Sequence, residues 1–139
     1  MVERILIVGF GTMGSGIAEV FALNGYEVNA YDAYKDAIPR SLESIRWSLG
    51  KLREKGSLRE DVDAIMRRIH VFDNLGNAAK DVDLVIEAEV EDPKVKTQVY
   101  KELENYVGKN VIIDRNTSGI QITYLQEEIQ KKGRYEGIH

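Results

Sequence analysis

A chain of 139 residues with a formal net charge of −4 and no cysteine is long enough to bury about two-thirds of its unfolded surface in a core of its own. The acidic balance argues against nucleic acid as a partner, and the absence of cysteine excludes disulfides, thiolate chemistry and cysteine-ligated metals. No apolar run approaches the length of a membrane span and the N-terminus lacks signal or transit character, so the cytoplasm is the expected compartment.

The first predicted element is the apolar run Arg4-Ile5-Leu6-Ile7-Val8, which leads directly into Gly9-Phe10-Gly11-Thr12-Met13-Gly14. A short apolar strand ended by three glycines at that spacing predicts a sharp strand-to-helix turn that cradles a pyrophosphate. Gly9 permits the turn, Gly11 admits the phosphates to the backbone, and Gly14 lets the helix lie close on the strand. The helix then presents free N–H groups and its positive dipole end to the phosphates, which makes Gly9, Phe10, Gly11, Thr12, Met13 and Gly14 the expected cofactor-binding residues. The helix is predicted from Ser15 to Asn24, with Ile17, Val20, Phe21 and Leu23 inward and Gly25 as its cap.

A second strand, Glu27 to Tyr31, ends at Asp32. A carboxylate there accepts from both hydroxyls of an adenosine ribose and repels a 2′-phosphate, which favours NAD over NADP. Ala33 offers no compensating cation, and Lys35 is the nearest one. The same aspartate also reads as a turn former or helix cap. A long helix follows from about Lys35 to Lys55, ended by Gly56, and then a second helix from Arg59 to Arg68. Leu42, Ile45, Leu49 and Leu52 make the buried stripe of the long helix. Ser41, Ser48 and Lys55, seven residues apart, share another face, which reads on composition as an ordinary solvated one.

Further strands are predicted at Ile69–Phe72, Leu84–Ile86 and Val111–Ile113, with helices at Val95–Tyr106 and Thr123–Lys131. Gly137-Ile138-His139 looks like the start of a sixth strand at which the chain stops. His70 alternates with apolar residues and reads as structural. The two histidines are far apart in sequence and neither is bracketed by carboxylates at ligand spacing, so no metal site is expected. Strands alternating with helices predict an α/β, Rossmann-type doubly wound, mainly parallel sheet. A long helical pair is inserted between its second and third strands.

Gly9 through Ala18, the segment Asp83-Leu84-Val85-Ile86-Glu87-Ala88, and Asn116-Thr117-Ser118 resemble the 3-hydroxyacyl-CoA dehydrogenases, including the 3-hydroxybutyryl-CoA type. The likeness runs along the whole chain but only to that family's N-terminal, NAD-binding half. The inserted helical pair is a further point of resemblance. The likeness implies an oxidoreductase of fatty acid metabolism that oxidises the 3-hydroxyl of an (S)-3-hydroxyacyl-CoA to a ketone, with hydride passing to NAD. It makes His139, twenty-one residues after Ser118, the general base, and Ser118 its neighbour at the substrate oxygen. An imidazole titrating near ~6.5 suits that task independently. Asn116 and Ser118 fall beside the cofactor, and Glu91 and Lys96 match positions lining the nicotinamide ribose pocket. Ser48 and Lys55 match positions that contact coenzyme A, together with Ser118.

Bland readings stand beside these. Asn116, Thr117 and Ser118 also read as turn and cap formers, Glu91 as a helix-start carboxylate, and Lys96 as a surface lysine. The chain departs from the family's pattern at Phe10, where a smaller or aliphatic residue is usual, and at Glu89 and Arg115, which add charge near the cofactor. Phe10 is tolerated if its side chain points away from the phosphates.

Residues 1–139 are expected to form the NAD-binding domain alone, without the family's helical C-terminal domain, which would supply the glutamate that orients the histidine. That half is expected either to have been cut away or to act in trans, and the surface it would cover is expected to promote self-association. The chain by itself is then expected to bind NAD and to turn over acyl-CoA poorly or not at all. Two other readings remain. A 3-hydroxyisobutyrate-type dehydrogenase shares the glycine opening, but the helical pair and the Asn-Thr-Ser to His spacing argue against it. A non-catalytic NAD-binding sensor or structural module on the same scaffold is the other.

Overall fold

The computed structural model describes residues 3–88, 93–107 and 111–114. Within them the chain alternates strand and helix: β1 (Arg4–Val8), α1 (Thr12–Leu23), β2 (Glu27–Tyr31), α2 (Ala37–Glu54), α3 (Val62–Met66), β3 (Ile69–Phe72), α4 (Leu75–Ala78), β4 (Leu84–Glu87), α5 (Pro93–Tyr106) and β5 (Ile112–Asp114). The strands form one five-stranded sheet in the order β3-β2-β1-β4-β5. All four strand pairs are parallel, with Val8 in register with Tyr31 on one side and Glu87 on the other.

Parallel strands need crossover connections, so helices cover both faces and the strands must be apolar on both sides. That is why Ile5, Leu6, Ile7 and Val8 are all fully buried. Ile5, Ile7, Val28, Ala30, Leu84 and Ile86 point to one face and pack with Ile17 and Phe21 of α1, Ile45 and Leu49 of α2 and Ile65 of α3. Leu6, Val8 and Val85 point to the other, against Leu75 and Ala78 of α4 and Val99 and Leu103 of α5. At roughly 1.5–3 kcal/mol for each large side chain buried, either layer outweighs any single polar contact in the molecule.

The helix ends follow local chemistry. Gly25 has φ +90; its N–H donates to the Ala22 carbonyl and that of Tyr26 to Phe21, both at 3.1 Å. This is the paired closure of a Schellman cap. The Phe21 and Tyr26 rings meet edge-on at 5.5 Å, adding the apolar contact that accompanies it. Gly56 ends α2 in the same way, with Ser57 N–H donating to Leu52 and Gly56 N–H to Arg53.

Several expected boundaries move. α1 begins at Thr12, not Ser15, because Gly14 already lies against β1 in its first turn. α2 begins at Ala37, after a turn organised by Asp32. The second helix of the inserted pair shrinks from Arg59–Arg68 to Val62–Met66, since the chain must straighten to deliver Arg68 to the sheet, where its carbonyl accepts from Val28 N–H at 2.8 Å. α5 starts at Pro93, where a missing N–H is no loss. β4 runs on to Glu87, and β5 lies one residue further along than expected. α4 is a single turn capped by Asn74, whose Oδ1 accepts from Asn77 N–H at 3.0 Å; it was not foreseen. The expected helix at Thr123–Lys131 and the sixth strand at Gly137–His139 lie outside the described residues.

Candidate functional site

In an open parallel sheet, ligands bind beyond the carboxyl ends of the strands, where the order reverses. Here that point lies between β1 and β4, since the chain leaves β1 for β2 and β3 on one side and returns to β4 on the other. Gly9 N–H donates to Tyr31 O at 2.8 Å, and Ala88 N–H to Val8 O at 2.7 Å. The glycine turn therefore starts with the strand ends on both sides tied to it. Glu87, 5 % exposed, stands at the end of β4 in register with Val8. A carboxylate in an otherwise apolar strand was the available signal for it.

Two glycines of the turn differ in what surrounds them. A Cβ on Gly14 would lie 1.7 Å from the Gly9 carbonyl oxygen, whereas one on Gly11 would meet nothing within 4 Å. The first measures how closely α1 packs on the turn. The second marks open space above it. Gly11 is the N-cap of α1, no side chain caps the helix, and no acidic residue stands in its first turn. The leading N–H groups of α1, with the positive end of its dipole, are thus presented to that space, which is the donor set a pyrophosphate requires. A dinucleotide fits these residues.

Phe10 is fully buried in the layer with Ile17 and Ile45, so its side chain points into the core and not into the space above Gly11. Its N–H donates to Asp32 Oδ2 at 2.7 Å. Asp32 Oδ1 accepts from Tyr34 N–H at 2.7 Å. Asp32 is 5 % exposed and acts as a turn former that clamps the glycine turn to the end of β2. Each carboxylate oxygen has a second lone pair, so acceptance from ribose hydroxyls is compatible with this clamp.

The inserted helices add a second wall. A cleft of about 430 Å³ opens between α1 and α2 beside the glycine turn, bordered by Thr12, Gly16 and Glu19 on one side and Arg40, Ser44 and Ser48 on the other. Ser48 Oγ donates to Glu19 Oε2 at 2.7 Å. Burial pushes the Glu19 carboxyl above its ordinary pKa, an effect the Ser48 hydrogen bond partly offsets. Trp47, the chain's one tryptophan, is 67 % exposed, with Lys51 Nζ 5.5 Å from the centre of its ring. Ser41, Ser48 and Lys55 do not form one free face. Ser41 is buried and its Oγ donates to the Phe10 carbonyl; Ser48 is half-buried on Glu19; Lys55 is exposed at the C-cap of α2. Glu19 was missed because nothing local distinguishes it from any helical glutamate. A larger cleft of about 520 Å³ between α2 and α3 mixes Arg46, Arg53 and Arg67 with Asp61 and Asp63 and shares no residue with the glycine turn.

Residues 4–139 match the family described as 3-hydroxyacyl-CoA dehydrogenase, NAD binding domain. The chain belongs to that family. It is 38% identical over 133 residues to a probable 3-hydroxybutyryl-CoA dehydrogenase of Deinococcus radiodurans, covering 96% of this chain and 48% of that protein. It is 32% identical to the mitochondrial hydroxyacyl-coenzyme A dehydrogenase of Sus scrofa, covering 100% and 46% respectively. Among solved structures, (S)-3-hydroxybutyryl-CoA dehydrogenase of Ralstonia eutropha superposes with a TM-score of 0.77 at 35% identity, over 85% of this chain and 42% of that one. The chain thus spans about half the length of the curated relatives it matches.

Family membership agrees with NAD as the cofactor and with the donor set at the glycine turn. Lys96 lies in the first turns of α5. Glu89, Glu91, Arg115, Asn116, Thr117, Ser118 and His139 lie outside the described residues. His70 bridges two strands, Nε2 to Glu27 Oε1 at 2.8 Å. Among the described residues, no three His, Asp or Glu side chains are grouped to hold a metal ion, and no helix is long and apolar enough to cross a membrane.

Proposed function

We propose that residues 1–139 are the NAD-binding domain of a dehydrogenase that oxidises (S)-3-hydroxyacyl-CoA to 3-oxoacyl-CoA. The observation that carries this reading is the open N-terminus of α1, presented at the sheet's switch point by a glycine turn clamped on Asp32. Family membership supports it. When bound, NAD supplies the hydride acceptor at C4 of its nicotinamide. The chain's own residues supply the rest. The N–H groups following Gly11 hold the pyrophosphate, and Asp32 holds the adenosine ribose and disfavours a 2′-phosphate.

By family resemblance, Glu91 and Lys96 line the nicotinamide ribose, and Asn116 lies beside the cofactor. Ser118 donates to the reacting oxygen. His139 would take the hydroxyl proton onto its imidazole as general base. By the same resemblance Ser48, which borders the cleft between α1 and α2, and Lys55, exposed at the C-cap of α2, contact the carrier. A helical C-terminal domain, in the same polypeptide or in trans, completes the acyl pocket and orients His139. The surface left uncovered without it favours self-association, and the cytoplasm is the compartment this reading assumes.

The test is a calorimetric titration of the chain with NADH beside NADPH, followed by acetoacetyl-CoA reduction with a supplied C-terminal domain from a relative. Saturable NADH binding, weak NADPH binding and turnover only in the presence of the second domain are expected. Tight NADH binding that never yields turnover in any such pairing would favour a non-catalytic NAD-binding sensor or structural module. Binding of neither nucleotide would sink the assignment of the glycine turn.

A further inference from the structure

We propose that Ser41 is a positioning residue for the cofactor: from the inserted helix α2 it pins the Phe10–Gly11 peptide so that the Gly11 N–H faces the pyrophosphate. The inference rests on the NAD-binding reading of the glycine turn and adds a residue to it. Ser41 is 7 % exposed and its Oγ donates to the carbonyl oxygen of Phe10. That carbonyl belongs to a fully buried residue, and among the described residues no backbone N–H donates to it.

In a trans peptide the C=O and the following N–H point in opposite directions across one plane. Holding the Phe10 carbonyl toward α2 therefore turns the Gly11 N–H away from α2. The pin is needed because of what flanks it. Gly11 has no Cβ and accepts either orientation of its preceding peptide at little cost, and a Cβ there would touch nothing within 4 Å. Rotating the peptide would put a carbonyl oxygen, the negative end of its dipole, in place of a donor facing the phosphates. The other handles on residue 10, its ring in the core and its N–H on Asp32, fix everything before that peptide but not the plane itself. Ser41 is the contact that selects one orientation.

The experiment uses the 139-residue chain with ADP-ribose and adenosine as paired probes, since only the first carries the pyrophosphate. In Ser41→Ala the dissociation constant for ADP-ribose is expected to rise about tenfold, the weight of one hydrogen bond to a charged group. That for adenosine is expected to stay within about twofold, and Ser41→Thr, which keeps the hydroxyl, to recover most of the loss. An ADP-ribose affinity unchanged in Ser41→Ala, or both probes weakened by the same factor, would overturn the proposal. A second readout needs no variant. The Gly11 amide resonance of the wild-type chain should move with ADP-ribose and hold still with adenosine; the converse would equally overturn it.

Discussion

Gly14→Ala places a methyl group where the structure has no room. Its Cβ would stand 1.7 Å from the Gly9 carbonyl oxygen, 2.8 Å from the Gly9 carbonyl carbon and 3.3 Å from Ile7 Cγ2. Two of the three are backbone atoms of the turn, which cannot step aside as a side-chain tip can. To restore ordinary contact at 3.4 Å, α1 must retreat by about 1.7 Å. That retreat loosens Ile17 and Phe21, both fully buried against the sheet. Alanine contributes about 1 kcal/mol of helix propensity over glycine. Overpacking against rigid backbone costs about 1–3 kcal/mol or more, and the loosened side chains add to it. With roughly 1 kcal/mol for the loosened side chains, the net loss should be about 1–3 kcal/mol, a fall of roughly 3–12 °C in melting temperature for a chain of this length.

NADH binding should be lost along with it, because the displaced atoms are the turn itself. Gly16→Ala on the same helix is the control for stability. Its Cβ meets nothing within 4 Å, so propensity alone acts and the melting temperature should hold or rise. Circular dichroism melts and energy transfer from Trp47 to NADH read both quantities. A Gly14→Ala chain that melts with the wild type and binds NADH equally well would refute the close approach of α1 to β1.

Asp32→Ala removes the acceptor of both the Phe10 and Tyr34 N–H groups; leaving the buried one unpaired should cost about 1–3 kcal/mol. The preference for NADH over NADPH should narrow by about tenfold or more with the charge gone, and an unchanged ratio in paired titrations would contradict the ribose assignment. Glu19 carries a folded-state pKa above its ordinary 4.5. Its contribution to stability is therefore present below that pH and lost as pH rises through the raised value. Glu19→Gln, which keeps an acceptor for Ser48, should match the wild type in urea melts at low pH and equal or exceed it near neutrality; a gap of opposite sign would exclude burial as the cause. His70→Ala breaks a half-exposed bridge to Glu27 and should cost under ~1 kcal/mol with NADH affinity intact. A large loss of affinity would mean the bridge shapes the site.

The residues legible in the sequence are those whose chemistry is local. The apolar runs at Arg4–Val8 and Leu84–Ile86 can only be strands covered on both faces. Gly25 and Gly56 stop their helices through bonds reaching back a few residues, and the glycine turn and Asp32 follow from spacing alone. Family membership then confirmed what those features implied about the cofactor. Tertiary structure decided contacts that join residues far apart in the chain. Asn29 bonds Arg4 on one side and the Ala78 carbonyl on the other, both at 2.8 Å, tying β2 to β1 and to the single turn α4. No periodicity marks a helix of four residues or the partner of a buried amide. Ser41 and Ser48 share a helical spacing, yet one is buried on the Phe10 carbonyl and the other meets Glu19, because α2 packs its Ile45 and Leu49 into the same core as Ile17 and Phe21 of α1. Helical period tells which residues share a face. Only the packing of that face against the sheet tells which of them meet the cofactor turn and which meet solvent.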